Sequence, residues 1–162
     1  MKKTLKVLLV LALVILTTGC GKRNAATPEN FKNTFKDYKV EDVTSQYAFA
    51  ESALKVTGGN NLTVLYLKVK SVDTIKDIYY DEITNITKKA GAELIANNDK
   101  DYQYKEEDIE KTITKGDNYT VAQYSLRDTY YRVSWIDNTY IYGTIDIGSK
   151  TTLVNLMSPL KY

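Results

Sequence analysis

Three β-rich runs, Tyr119 to Leu126, Thr129 to Ile136 and Thr139 to Ile147, are separated only by Arg127-Asp128 and Asp137-Asn138. Two-residue connections leave no room for a crossover, so the runs must pair as a tight antiparallel meander. Asp-Asn also tolerates the positive φ that a type I′ turn demands at its centre. A two-residue turn at Asp137-Asn138 pairs Ile136 with Thr139 and Trp135 with Tyr140, and directly paired residues share a sheet face. One face then carries Val121, Ile136, Ile141, Gly143 and Ile145, and the other Tyr124, Tyr131, Val133, Trp135, Tyr140 and Tyr142. A three-residue loop would reverse this on the last strand, because a one-residue slip exchanges the faces. The two-residue register is the one preferred. Arg132 falls on the aliphatic face and needs a carboxylate partner or a place at the margin.

The rest of the chain supplies elements to pack on that meander. Leu54 and Val56 alternate with Lys55 and Thr57, Gly58-Gly59-Asn60-Asn61 breaks the pattern, and Leu62 to Lys70 is again β-rich, which reads as a hairpin. Thr27, Pro28, Phe31, Phe35 and Tyr38 carry the cap, the first-turn proline and the spacing of an amphipathic helix over 28–38. Val72, Ile75, Tyr79, Ile83, Ile86 and Ala90 recur at three to four residues behind Ser71 and Asp73, with Lys88, Lys89 and Gly91 closing the helix and 92–96 a possible extension. Ser149, Leu153, Leu156, Met157 and Leu160 outline a terminal helix stopped or kinked at Pro159. Between Asn97 and Asn118 polarity dominates; Ile109 and Ile113 suggest at most a helical turn, and the segment reads as a mobile surface connection. The expected fold is α+β, order α-ββ-α-βββ-α, an antiparallel sheet of about five strands with helices on at least one face.

At the other end of the chain, Lys2, Lys3 and Lys6 precede an unbroken apolar run from Val7 to Leu16, followed by Thr17-Thr18-Gly19-Cys20. The apolar run is too short for a stable membrane span, and its flanks are those of an export signal. These residues resemble the signal peptides of bacterial lipoproteins, with Thr17 where an aliphatic residue is usual. The resemblance implies that the Cys20 sulfur receives a diacylglycerol and that cleavage makes Cys20 the first mature residue. Each buried CH₂ contributes roughly 0.8 kcal/mol, so two acyl chains hold a domain at a bilayer effectively permanently. The expected organisation is a signal peptide over 1–19, a lipidated cysteine and flexible tether over 20–27, and one domain over 28–162. Its place is the outer face of the cytoplasmic membrane.

Composition narrows the chemistry. Removing Lys2, Lys3 and Lys6 leaves 19 basic against 20 acidic residues, so a basic face for nucleic acid is not expected. The chain has no histidine and one cysteine, which removes the commonest general base and, once Cys20 carries lipid, any thiol. About 143 mature residues suffice for one core without disulfides.

The mature chain as a whole resembles a group of small surface lipoproteins of Gram-positive bacteria. The resemblance rests on Phe31 to Tyr38 followed by Val40-Glu41-Asp42-Val43-Thr44, on Tyr131 to Tyr142, and on Leu160-Lys161-Tyr162. It departs at Lys39, near which a glycine is frequent, and at Trp135, where a basic residue is common. The group brings no established activity.

Motifs with catalytic or metal-binding potential are sparse. Ser52-Ala53-Leu54-Lys55 has the spacing of a serine-x-x-lysine motif but runs into a strand without companion motifs. Asp99, Asp101, Gln103 and Glu110 imitate part of a calcium loop, with Tyr104 where the sharp turn needs glycine and Glu106, Glu107 and Asp108 nearby. Asp77, Asp81 and Glu82 form the polar face of the long helix. No catalytic residue, metal ligand or cofactor is expected. Tyr124, Tyr131, Trp135, Tyr140 and Tyr142 are the candidate ligand-binding residues, with two readings. A helix covers them and they are core, the favoured one, or they form an open platform for sugar, peptide or cell-wall polymer. The expected function is a membrane-anchored, non-enzymatic binding or interaction module of the cell envelope. The alternatives are a carboxylate-dependent envelope hydrolase or an accessory subunit of a transporter or secretion complex.

Overall fold

The structure, a computed structural model, describes residues 21–89 and 110–162. Its elements in chain order are α1 (Pro28–Thr34), β1 (Val40–Asp42), β2 (Ala50–Thr57), β3 (Thr63–Val69), α2 (Val72–Lys89), β4 (Glu110–Gly116), β5 (Tyr119–Leu126), β6 (Thr129–Ile136), β7 (Thr139–Asp146) and α3 (Lys150–Met157). The strands form one antiparallel sheet in the order β1-β2-β3-β7-β6-β5-β4. The chain is α+β, with seven strands in place of the expected five.

Both additional strands are at the sheet edges. β4 occupies part of the segment expected to be a polar connection or helical turn. Its backbone pairs with β5 from Glu110↔Ser125 to Gly116↔Tyr119, while Glu110, Lys111 and Thr112 are exposed. Charged, polar residues are what a solvent-facing edge strand carries, so low hydrophobicity disguised it. Residues 97–109 of that expectation, and the 92–96 extension of the helix, lie outside the described residues. β1 is three residues long, too short for any periodicity to register.

The register follows the two-residue turns. Trp135 pairs with Tyr140 and Ile136 with Thr139. Within the turns only Arg127 (φ 52) and Asp137 (φ 50) take positive φ, so they are not type I′, which needs it at both central residues. Alternation then divides the sheet into two buried faces. On one, Val56, Val64, Tyr66, Val121, Ile136, Ile141 and Ile145 meet Phe31 and Phe35 of the α1 segment and Leu153 and Met157 of α3. On the other, Leu67, Val69, Ala122, Val133 and the aromatics meet Ile75, Tyr79, Ile83 and Ile86 of α2.

Local signals set the helix ends. Thr27 and Asn30 form a reciprocal capping box with Pro28 at the first position. α3 passes at Ser158 into a 3₁₀ turn that contains Pro159. Gly143 lies beneath α3, where an added Cβ would stand 2.8 Å from Met157 Sδ and 2.9 Å from Leu153 Cδ1; the missing side chain lets the helix sit close to β7.

Candidate functional site

The strands bring the five candidate aromatics together as the sequence implies, and α2 covers them. Tyr124, Tyr131, Trp135 and Tyr140 are buried at 1%, 7%, 8% and 2% exposure, and Tyr142 is half-buried. Tyr124 pairs with Tyr131 and Tyr142 with Val133; the Tyr131 and Tyr142 rings are 6.4 Å apart. Lys76 of α2 holds its Nζ 5.7 Å from the centre of the Trp135 ring. Burial, reinforced by the Glu82 charge, pushes the Tyr140 and Tyr142 hydroxyls up. The open-platform reading is thereby corrected: the apolar stripe of α2 requires a face, and this face is the one it takes. Trp135 Nε1 is buried without a hydrogen-bond partner among the described residues.

A second correction concerns the expected flexible tether. Gly21 and Lys22 are exposed, but Arg23 to Ala26 lie fixed along the sheet end and the aliphatic face. Arg23 donates its backbone N–H to Asn118 Oδ1 at 3.0 Å, and Asn118 Nδ2 donates back to the Arg23 carbonyl at 2.8 Å. The Arg23 guanidinium donates to the Lys161 carbonyl at 2.7 Å and lies 3.9 Å above the Tyr119 ring. Further on, Ala26 N–H donates to the Tyr162 hydroxyl at 3.2 Å, and the Tyr66 hydroxyl donates to the Ala26 carbonyl at 3.1 Å. Burial pushes the Tyr66 hydroxyl up to about 12, against the opposing effect of its bond with Thr139. Tyr162 is raised for the same first reason. Small polar residues gave no periodic signal, and every partner is 40 or more residues away.

Arg132 is half-buried. Its Nε donates to the main-chain oxygen of Tyr162 at 2.8 Å. Burial lowers its pKa, while Tyr130 opposes that shift.

A concavity at the surface lies elsewhere, lined by the Asn24–Ala26 strap, α1 and the end of α3. It has a volume of about 480 Å³, and Asn24, Asn30, Asn33 and Asn155 line it with Leu156 and Pro159 among the apolar residues. No carboxylate, thiol or imidazole is among its lining residues. Primary amides each offer two donors and an acceptor. Asn30 already spends its Oδ1 on the Thr27 N–H and hydroxyl. The remaining amides, with Thr34 and Lys161 beside them among apolar residues, suit a polar ligand rich in hydroxyls or peptide groups. Sequence reasoning missed this groove; Asn30 and Asn33, three apart on one helical face, were its one local signal.

Cys20 lies outside the described residues, as do Asp99, Asp101 and Gln103, while Glu110 begins β4 and is exposed. Among the described residues no group of three or more His, Cys, Asp or Glu is placed to hold a metal ion, and no helix is long and apolar enough to cross a membrane. Comparison with family models, with curated proteins and with solved structures gives no match.

Proposed function

We propose that this chain is a lipid-anchored, non-enzymatic binding module at the outer face of the cytoplasmic membrane, and that the asparagine-lined groove receives peptide or cell-wall polymer. The groove carries the reading: its lining sets four asparagine amides among apolar residues, with Thr34 and Lys161 beside them, a combination that suits recognition of polar chains by hydrogen bonding and has no carboxylate, imidazole or thiol. The anchor rests on the Val7 to Cys20 pattern. In agreement with it, the residues that follow Cys20, Gly21 and Lys22, emerge exposed at the surface.

Two measurements test the halves separately. Metabolic labelling with a fatty-acid probe should mark the parent chain and not Cys20→Ala; label on the variant removes Cys20 as acceptor. Titration of the folded domain with envelope peptides and glycan fragments, followed by amide NMR, should move Asn33 and Asn155 resonances. Asn33→Ala with Asn155→Ala should weaken that binding by roughly 1 kcal/mol or more. Sustained turnover of a polymer, lost on changing one Asp or Glu, would replace the binding module with a hydrolase. Repeated recovery of one integral membrane protein would favour an accessory subunit.

A further inference from the structure

We infer that the end of the sheet from which residues 21 to 23 depart is a bilayer-facing surface, with Phe49 and Val72 seated in the lipid interface. The inference rests on the proposed acylation of Cys20 and adds an orientation that acylation alone does not give.

The first observation is the length of free chain. Arg23 is held at both backbone groups by Asn118 and through its guanidinium by Lys161. Three residue steps separate it from Cys20, a reach of at most about 11 Å when fully extended. A lipid on Cys20 therefore holds this end of the domain against the headgroups.

The second observation is what else occupies that end. A row of contacts runs across it from Arg23. Asn118 Nδ2 donates to Asp137 Oδ1 at 2.9 Å. Beside Asp137 in the same turn, Asn138 exchanges two hydrogen bonds with Val69, its Nδ2 donating at 2.7 Å and its carbonyl accepting at 3.0 Å. Val69 in turn pairs with Ala50. Phe49 immediately precedes Ala50, and Val72 follows Val69 by three residues. Among the described residues these are the two exposed large hydrophobics, at 49% and 37%. Both therefore stand on the one sheet end to which the anchor is tied, within about 20 Å of it across four strand spacings.

Exposed single apolar residues are ordinary; their placement on the tethered end is what selects a lipid surface over a protein partner. Phe49 is backed edge-on by Tyr47 at 5.9 Å, an aromatic pair suited to the interface. Charge does not drive the contact. The exposed cations Lys22, Lys70 and Lys161 stand at this end beside the exposed carboxylates Asp73, Asp117 and Asp137. The contact is accordingly apolar and tether-driven, and indifferent to the net charge of the lipid.

The test uses the full acylated chain in phosphatidylcholine vesicles and, in parallel, vesicles containing phosphatidylglycerol. With the Cys20 sulfur in thioether linkage, an introduced cysteine is the sole thiol. Ala48→Cys and Lys70→Cys place a polarity-sensitive dye beside Phe49 and Val72. Gly59→Cys places it at the opposite sheet end, where an added Cβ meets nothing within 4 Å. Dye at 48 and 70 should emit at shorter wavelength and be quenched by nitroxide lipid in both vesicle types, with dye at 59 unaffected. Phe49→Ser with Val72→Ser should lose most of that quenching. Dye as exposed at 48 and 70 as at 59 on a chain shown by mass to be acylated overturns the orientation alone. A chain without acyl groups overturns orientation and anchoring together. Unchanged quenching in the double serine variant removes Phe49 and Val72 as the inserted groups.

Discussion

Trp135 stands directly across the β6–β7 ladder from Tyr140, and both rings lie beneath α2 in one cluster with Ile75, Tyr79 and Ile83. The pair is core. Trp135→Ala should cost roughly 3–5 kcal/mol in urea unfolding, as large aromatic truncations do. Binding of any groove ligand, measured under conditions where the variant stays folded, should be unchanged. Reduced affinity without loss of stability would return this face to the list of ligand surfaces.

Trp135→Phe separates ring from N–H. The indole nitrogen has no hydrogen-bond partner among the described residues, and leaving such a donor buried costs about 1–3 kcal/mol. Removing it offsets the lost ring volume, and the variant should unfold within about 1 kcal/mol of the parent. A loss near that of Trp135→Ala would identify an unseen partner for Nε1.

The Ala26 strap is held by two hydroxyls. Tyr66→Phe and Tyr162→Phe each remove one bond to Ala26 and should cost about 1 kcal/mol apiece. Trypsin should then cleave after Lys22 and Arg23 faster while the sheet remains intact. Equal cleavage rates in parent and variants would show that these hydroxyls do not hold the strap.

Tyr66 also sets a pH dependence. Its folded pKa, about 12, lies above the unfolded value of about 10, so the protonated form is favoured in the folded state. The stability tied to that proton is full below pH 10 and is lost as pH rises from 10 through 12. Buried Tyr140 shifts in the same direction. The unfolding midpoint should fall steeply above pH 10, and Tyr66→Phe should flatten that fall. A parent midpoint constant from pH 9 to 12 contradicts it.

Gly143 tests the packing of α3. A Cβ there would stand within 3 Å of Met157 Sδ and Leu153 Cδ1, both movable ends, so Gly143→Ala should cost about 1–3 kcal/mol as overpacking does. Met157→Ala in the same chain should recover part of that cost in a double-mutant cycle. No loss on Gly143→Ala would mean that the helix is free to move away.

Sequence by itself determined what is local in this protein. The two-residue separators at Arg127-Asp128 and Asp137-Asn138 dictate an antiparallel meander and favour the register the structure adopts, Trp135 opposite Tyr140, over the slipped one a three-residue loop would give. The 3.6-residue recurrence from Val72 to Ile86 specifies one helix, and alternation sorts Ile136, Ile141 and Ile145 from Trp135, Tyr140 and Tyr142. Tertiary structure decided everything that depends on distant partners. β4 is a strand because β5 offers an unpaired edge to its backbone, an interaction that side-chain hydrophobicity does not report. The aromatic face is closed because α2 crosses to that side, which its own sequence does not state. Arg23 to Ala26 are fixed because Asn118, Tyr66 and Tyr162 reach them, and the groove exists only where Asn24, Asn30 and Asn33 meet Asn155. Hydrogen bonds of small polar residues carry no periodic trace along the chain, so such contacts become legible only once the fold has brought their partners together.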